Sequence, residues 1–232
     1  MEIHPEIEIK DLALYLPREK TLIISDVHIG FEESLHKKGI LVPKFYFSLL
    51  KERISKILTL PIEKIIINGD LKHEFGSINE QEWREILQFF DLFKEKEIIL
   101  IKGNHDMILH PIAQKRKILL KEDYSIGDVH VSHGDALPKK EVKEKAIIIG
   151  HEHPAVSLKE NRKIKKYKCF LKGKWKKKVL IVMPSFHLLK EGTNILERRF
   201  LSPFLKDIDD FEVFIIGDKV YSFGKVKNLE LS

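Results

Sequence analysis

The 232-residue chain predicts an α/β fold, with two β-sheets packed face to face and helices outside, in a single domain spanning 1–232. Three observations predict it. Up to about Leu120, apolar strand-like runs alternate with segments whose apolar residues recur at helical spacing, the mark of parallel βαβ units. Beyond Leu120 the helical spacing stops and short apolar strands follow one another between turns, so a second sheet is expected against the first. Finally, strand after strand ends in glycine beside Asp, Asn or His, where open α/β sheets bind their ligands.

Taken in order, Ile7–Ile9 and Leu12–Leu16 alternate apolar and polar residues around Lys10-Asp11, a β-hairpin closed by Pro17. Thr21–Ser25 is a buried strand. Phe31–Lys38 suits a short helix ended by Gly39. Pro43 opens a longer one to Leu58, with Phe47, Leu50, Ile54 and Ile57 on one face. Lys64–Asn68 is the next strand, and Asn79 caps a helix bearing Trp83, Ile86, Leu87 and Phe90. Glu97–Ile101 completes the alternating half. Strands follow at Tyr124–Ile126, Val129–Val131 and Ala146–Ile149. Two hairpins come last: Lys165–Phe170 with Val179–Val182 around Gly173, and Phe211–Ile216 with Val220–Phe223 around Gly217-Asp218-Lys219.

Composition narrows the function classes. No apolar run nears the roughly 20 residues that cross a bilayer, and MEIHPEIEIK lacks the basic-then-apolar layout of a signal peptide. Cys169 is the single cysteine, so no intramolecular disulfide forms, and a reducing, cytoplasmic setting is expected. Net charge is +6, but Lys159–Lys178 holds eleven basic residues against Glu160 alone. That stretch carries +10 and the remainder −4.

The chemistry sits at the strand ends. Asp26 and His28 follow Thr21–Ser25, and two residues apart on an extended backbone they would project from the same side, as a metal site needs. Similar ends recur at Gly69-Asp70, Gly103-Asn104-His105-Asp106, His133-Gly134-Asp135 and Gly150-His151-Glu152-His153. His4, His36, His110, His130 and His187 lie outside these motifs and are read as surface or packing residues. Together DVH, GD, GNHD, HGD and GHEH, in that order over residues 26–153, resemble the calcineurin-type metallophosphoesterase superfamily. GDLKH at Gly69–His73 is similar to the form in Mre11/SbcD-type nucleases. GHEHP, a basic stretch and MPSF at Met183–Phe186 resemble the small phosphoesterases encoded beside DNA ligases and helicases.

The resemblance implies an α-β-β-α metallophosphoesterase fold and two divalent ions. One would be held by Asp26, His28, Asp70 and His153, the other by Asp70, Asn104, His133 and His151, with Asp70 bridging. Mixed oxygen and imidazole ligands suit manganese first, with iron or zinc as alternatives. His105 would protonate the leaving group, Asp106 would orient its ring, and His73 would act on the phosphate. Leu71-Lys72-His73 replaces the Asp-Arg that clamps monoesters in phosphoprotein phosphatases of the superfamily. With the basic run, this favours a phosphodiesterase, a nuclease on single-stranded or unpaired DNA. Lys172, Lys174, Lys176, Lys177 and Lys178 would track phosphates and Trp175 would stack on bases. Small-nucleotide or cyclic-nucleotide phosphodiesterase activity is the alternative, followed by a non-catalytic scaffold. Association with a DNA ligase or helicase is implied by the resemblance, and no separate capping domain is evident.

Overall fold

The computed structural model describes residues 1–42, 45–74, 78–106, 109–160 and 163–229. The first sheet opens with antiparallel β1 (Glu2–His4), β2 (Ile7–Lys10) and β3 (Ala13–Leu16). It continues through β4 (Thr21–Ser25), β5 (Lys64–Asn68), β6 (Glu97–Ile101) and β7 (Leu119–Lys121), which run parallel in chain order. Helices α1 (Phe31–Lys37), α2 (Tyr46–Ile57), α3 (Glu80–Asp91) and α4 (His110–Lys115) make the crossovers. The Asn79 side chain caps α3 by accepting from the Glu82 N–H at 2.8 Å, as its sequence position predicts. The expected start of α2 at Pro43 falls outside the described residues.

The second sheet comprises β8 (Asp123–Ile126), β9 (Val129–Ser132), β10 (Ala146–Ile149), β11 (Pro154–Glu160), β12 (Lys163–Trp175), β13 (Lys178–Val182) and β14 (Thr193–Asn194). β15 (Glu212–Ile216) pairs with β12, and β16 (Val220–Lys225) pairs with β15. β9, β10 and β13 are parallel, and most other pairings are antiparallel.

Strand alternation explains why these strands are isoleucine runs: both faces are buried. In β5, Ile65 and Ile67 face α2 and α3, whereas Ile66 enters the core between the sheets. That core also receives Ile23, Ile99, Ile148, Phe170 and Ile181. The outer face of the second sheet (Ile147, Leu171, Leu180) is covered by Phe204, Leu205, Ile208 and the short α5 (Val226–Leu229). Shortening a fully buried residue such as Ile66 to alanine costs about 2–5 kcal/mol. Among the described residues, no helix is long and apolar enough to cross a membrane.

One expected turn moves. Gly173 lies inside β12, paired with Leu180, and Lys176-Lys177 make the turn into β13. Gly173 is there for space: a Cβ would meet the Phe211 ring at 2.3 Å.

Candidate metal centre

The carboxyl ends of β4, β5, β6, β9 and β10 meet at one end of the two sheets. The loop after each strand carries the residues that the sequence singles out. Asp26 and His28 are not on extended backbone, as the two-residue spacing suggests. Their φ angles are 55° and 54°, and Asp70 (44°), His151 (63°) and His153 (50°) share this left-handed region. Such backbone costs on the order of 1–3 kcal/mol per residue and persists only where its surroundings hold it. Here the Asp26 N–H donates to Gly69 O at 3.2 Å and the His28 N–H to Asp70 O at 2.9 Å. Across the sheets, the His151 N–H donates to the Asp26 carboxylate at 3.1 Å.

Two glycines make the approach between loops possible. A Cβ on Gly150 would lie 1.9 Å from Ser25 Oγ, and one on Gly69 would lie 2.1 Å from His133 Nδ1. No side chain fits at either seam.

The donors fall into overlapping groups. Asp26, His28 and His153 converge, with Asp26 Oδ1 3.2 Å from His153 Nε2 and the His28 and His153 Nε2 atoms 3.4 Å apart. Asp70, His133 and His151 form another, with His151 Nδ1 3.2 Å from His133 Nε2 and Asn104 Oδ1 3.1 Å from the same nitrogen. Asp70 also groups with His28 and His105. Its carboxylate therefore lies between the two donor sets.

Electrostatics give a reason for a cation here. Burial pushes the Asp70 carboxyl well up, and the Asp26 and Asp106 charges push it further. Burial would raise Asp26 too, but His153, His133 and His28 hold it well below the usual carboxylate range. Burial presses the His151 imidazole down to about 4, helped by His133, so it is a neutral donor near pH 7. His28 Nδ1 and His133 Nδ1 are buried without a hydrogen-bond partner among the described residues. Clustered carboxylates and neutral imidazoles that leave one another's demands unmet fit divalent ions.

His105 lies at the edge of this cluster. Its Nδ1–H donates to the His73 carbonyl at 2.5 Å, which turns Nε2 toward the centre, 3.7 Å from Asp70 Oδ2. Asp106 does not orient that ring, contrary to the expectation. Its buried carboxylate accepts from the Gly103, Leu71 and Lys72 N–H groups at 3.1–3.3 Å and ties the loop after β6 to the loop after β5. The His73 ring stacks on His105 with centroids 5.9 Å apart and meets His28 edge-on at 5.4 Å. Lys72 is fully buried. Burial lowers its pKa, and the Glu82 and Asp106 charges offset that.

Three further residues support the site. Ser185 Oγ–H donates to Asp26 O at 3.0 Å, and the Lys168 ammonium donates to Ser185 O at 2.7 Å and His187 O at 2.5 Å. His187 is a packing residue, as expected, but packed at the site: it stacks on Tyr46 at 4.7 Å and lies 6.0 Å edge-on from His28. The sequence signal for this loop was MPSF at Met183–Phe186, at the end of another parallel strand, β13, but it assigned no role to Ser185, His187 or Lys168.

The basic run divides. β13 is parallel to β10, with Val179 beside Ala146 and Val182 beside Ile149. The Lys176-Lys177 turn is therefore at the end of the sheet opposite His151 and His153. Trp175 packs on Phe204 at 5.0 Å, Lys172 pairs with Glu212 at 3.3 Å, and Lys178 donates to Glu144 O at 2.6 Å. Lys172, Lys174, Trp175, Lys176, Lys177 and Lys178 are thus not brought to the metal centre.

A solved structure shares this fold. The crystal structure of the Pseudomonas putida nuclease MPE is similar with a TM-score of 0.68 at 20% identity, covering 92% of each chain. The Escherichia coli phosphoesterase Yfce matches at 14% identity and a TM-score of 0.43, over 89% of this chain and 97% of its own. No curated protein matches. The family profile for calcineurin-like phosphoesterases matches residues 19–218, which include every candidate ligand. Strand ends from both sheets, a shared buried carboxylate and that match together place the chain in the calcineurin-like phosphoesterase family, as a metal-dependent hydrolase.

Proposed function

We propose that the protein is a two-metal phosphodiesterase that hydrolyses DNA, single-stranded or unpaired. The observation that carries this reading is the position of Asp70 between the two donor groups. Asp26, His28, Asp70 and His153 would hold one ion, and Asp70, Asn104, His133 and His151 the other. Bound divalent ions supply Lewis acidity to phosphate oxygens and lower the pKa of bound water.

The residues' own part is positional and proton-handling. The His73 carbonyl fixes the His105 ring, and a protonated His105 would present Nε2–H to the departing alkoxide. Asp106 keeps the loops that bear Asp70 and Asn104 in register. Preference for a diester is supported by Lys72: where phosphatases of the superfamily place a monoester clamp, this chain buries its cation. The Pseudomonas putida protein with the same fold is a nuclease, which supports a nucleic-acid substrate.

Manganese-loaded protein is tested on bis-p-nitrophenyl phosphate, p-nitrophenyl phosphate, cyclic nucleotides, and single- and double-stranded DNA. The reading expects diester hydrolysis above monoester hydrolysis, with cleavage of single-stranded DNA. Cleavage of cyclic nucleotides without DNA cleavage would replace the DNA reading with the small-nucleotide one.

A further inference from the structure

The other half of the basic run lies at the metal-centre end. β12 continues past its pairing with β13: Leu171 faces Val182, whereas Lys163–Lys168 pair only with β11, in register from Ala155↔Lys168 to Glu160↔Lys163. The two strands form an arm six residues long on each side, about 17 Å at 3.4 Å per residue. β11 starts directly after the ligand candidate His153, so the arm is rooted at the site.

Its two faces can be read from the register. Residues paired across an antiparallel ladder share a face, so Ile164, Lys166 and Lys168 lie with Lys159, Ser157 and Ala155. The next residue on that face is Phe170, in the core between the sheets, so this face looks toward the metal centre. Along it the root cation, Lys168, is used structurally on Ser185 and His187. Lys159 beyond it is exposed, and Lys166 is half-buried, with its ammonium 3.5 Å from Gly192 O; Lys163, paired with Glu160, belongs to the opposite face. Ile164 is 77% exposed at the tip, which a solvated lysine hairpin does not require. A cleft of 440 Å³ opens here, lined by Ser157, Ile164, Lys165, Lys166, Tyr167 and Glu191. Lys190, over the Phe31 ring at 4.6 Å, continues the positive charge to the rim beside His73.

We propose that the β11–β12 arm binds the unreacted part of a single-stranded DNA substrate, with Lys159 and Lys166 on phosphates and Ile164 against an unpaired base. This rests on the DNA reading above and extends it to a surface. Lys159 faces Ile164 across the ladder and Lys166 follows Ile164 by two residues, about 6.8 Å, so two cations flank the isoleucine on one face, which suits an extended polyanion. The exposed isoleucine offers a base an apolar face and offers a phosphate backbone nothing, which favours unpaired DNA over duplex.

The test is fluorescence anisotropy of fluorescein-labelled (dT)15 across a salt series, with manganese-loaded protein. The arm variant Lys159→Gln/Lys166→Gln is compared with Lys174→Gln/Lys176→Gln/Lys177→Gln at the far end. Hydrolysis of bis-p-nitrophenyl phosphate by each variant reports an assembled metal centre. Two lost contacts should flatten the log–log salt slope by about 1.4, at roughly 0.7 per contact, and weaken binding on the order of fivefold at low salt. In DNA cleavage the arm variant should lose through KM rather than kcat. The far-end variant should bind as the wild type does. Unchanged affinity and slope in the arm variant, with DNA still bound and cleaved, would overturn the arm alone. A wild type that hydrolyses the small diester but neither binds nor cleaves (dT)15 would overturn the DNA reading and the arm together.

Discussion

Replacing His105 with alanine separates its two available roles. The ring is anchored by one hydrogen bond, Nδ1–H to the His73 carbonyl, and its Nε2 looks at the cluster from 3.7 Å. In that geometry it can give a proton to a leaving oxygen, but it also shares a donor group with His28 and Asp70. Burial lowers its pKa, while the bond to His73 raises it, so the acid form is the scarcer one near neutral pH. Proton transfer of this kind contributes about 100-fold or more, and 100-fold corresponds to about 2.7 kcal/mol of barrier. A nitrophenolate departs without a proton, so His105→Ala should cost about 100-fold on DNA and clearly less on bis-p-nitrophenyl phosphate. The assay is kcat on both substrates, with metal content measured on the same preparations. Equal losses on both would refute proton donation and point to phosphate positioning. Loss of metal would make His105 a ligand.

Asp106→Ala should act through the backbone. It removes the acceptor of three buried N–H groups, each worth about 1.5–3 kcal/mol when the partner is charged, so thermal unfolding should shift down by about 10 °C or more. An unchanged melting temperature with slowed catalysis would instead restore the ring-orienting role. Lys168 gives a pH signature. Burial, reinforced by Arg53, holds its ammonium down to about 7 against an ordinary 10.5, so the unfolded chain binds this proton more tightly. The penalty is full below pH 7 and fades as pH rises toward 10.5, so stability gains with pH across that window. In urea unfolding at pH 7 and 9.5, Lys168→Met should reduce that gain, and an identical pH dependence in both proteins would contradict the assignment.

Strands β2 to β6 and the Asn79-capped helix were legible because their apolar residues sit at strand or helical spacing between turns; β1 and β7, three residues each and partly exposed, were not. The ligand order was legible because each loop announces itself with glycine beside a donor. Three things were hidden. The left-handed backbone at Asp26 and His28 is imposed by the neighbouring loops, through Gly69 O and Asp70 O, and not by local propensity. Two of the Asp106 carboxylate's three partners, Leu71 and Lys72, come from a loop about 35 residues earlier in the chain. Most consequential, the basic run reads as one patch, but its two halves lie at opposite ends of β12. That division depends on β13 pairing parallel to β10, a long-range contact that composition does not reveal.

The bridging role of Asp70 rests on its place in both donor groups. It is tested most directly by the metal content of wild type and Asp70→Ala after equilibration with manganese and removal of free metal, with circular dichroism confirming that both are folded. Two ions per chain are expected in the wild type, none in the variant, and no diester hydrolysis by the variant. Two ions retained by Asp70→Ala would contradict it.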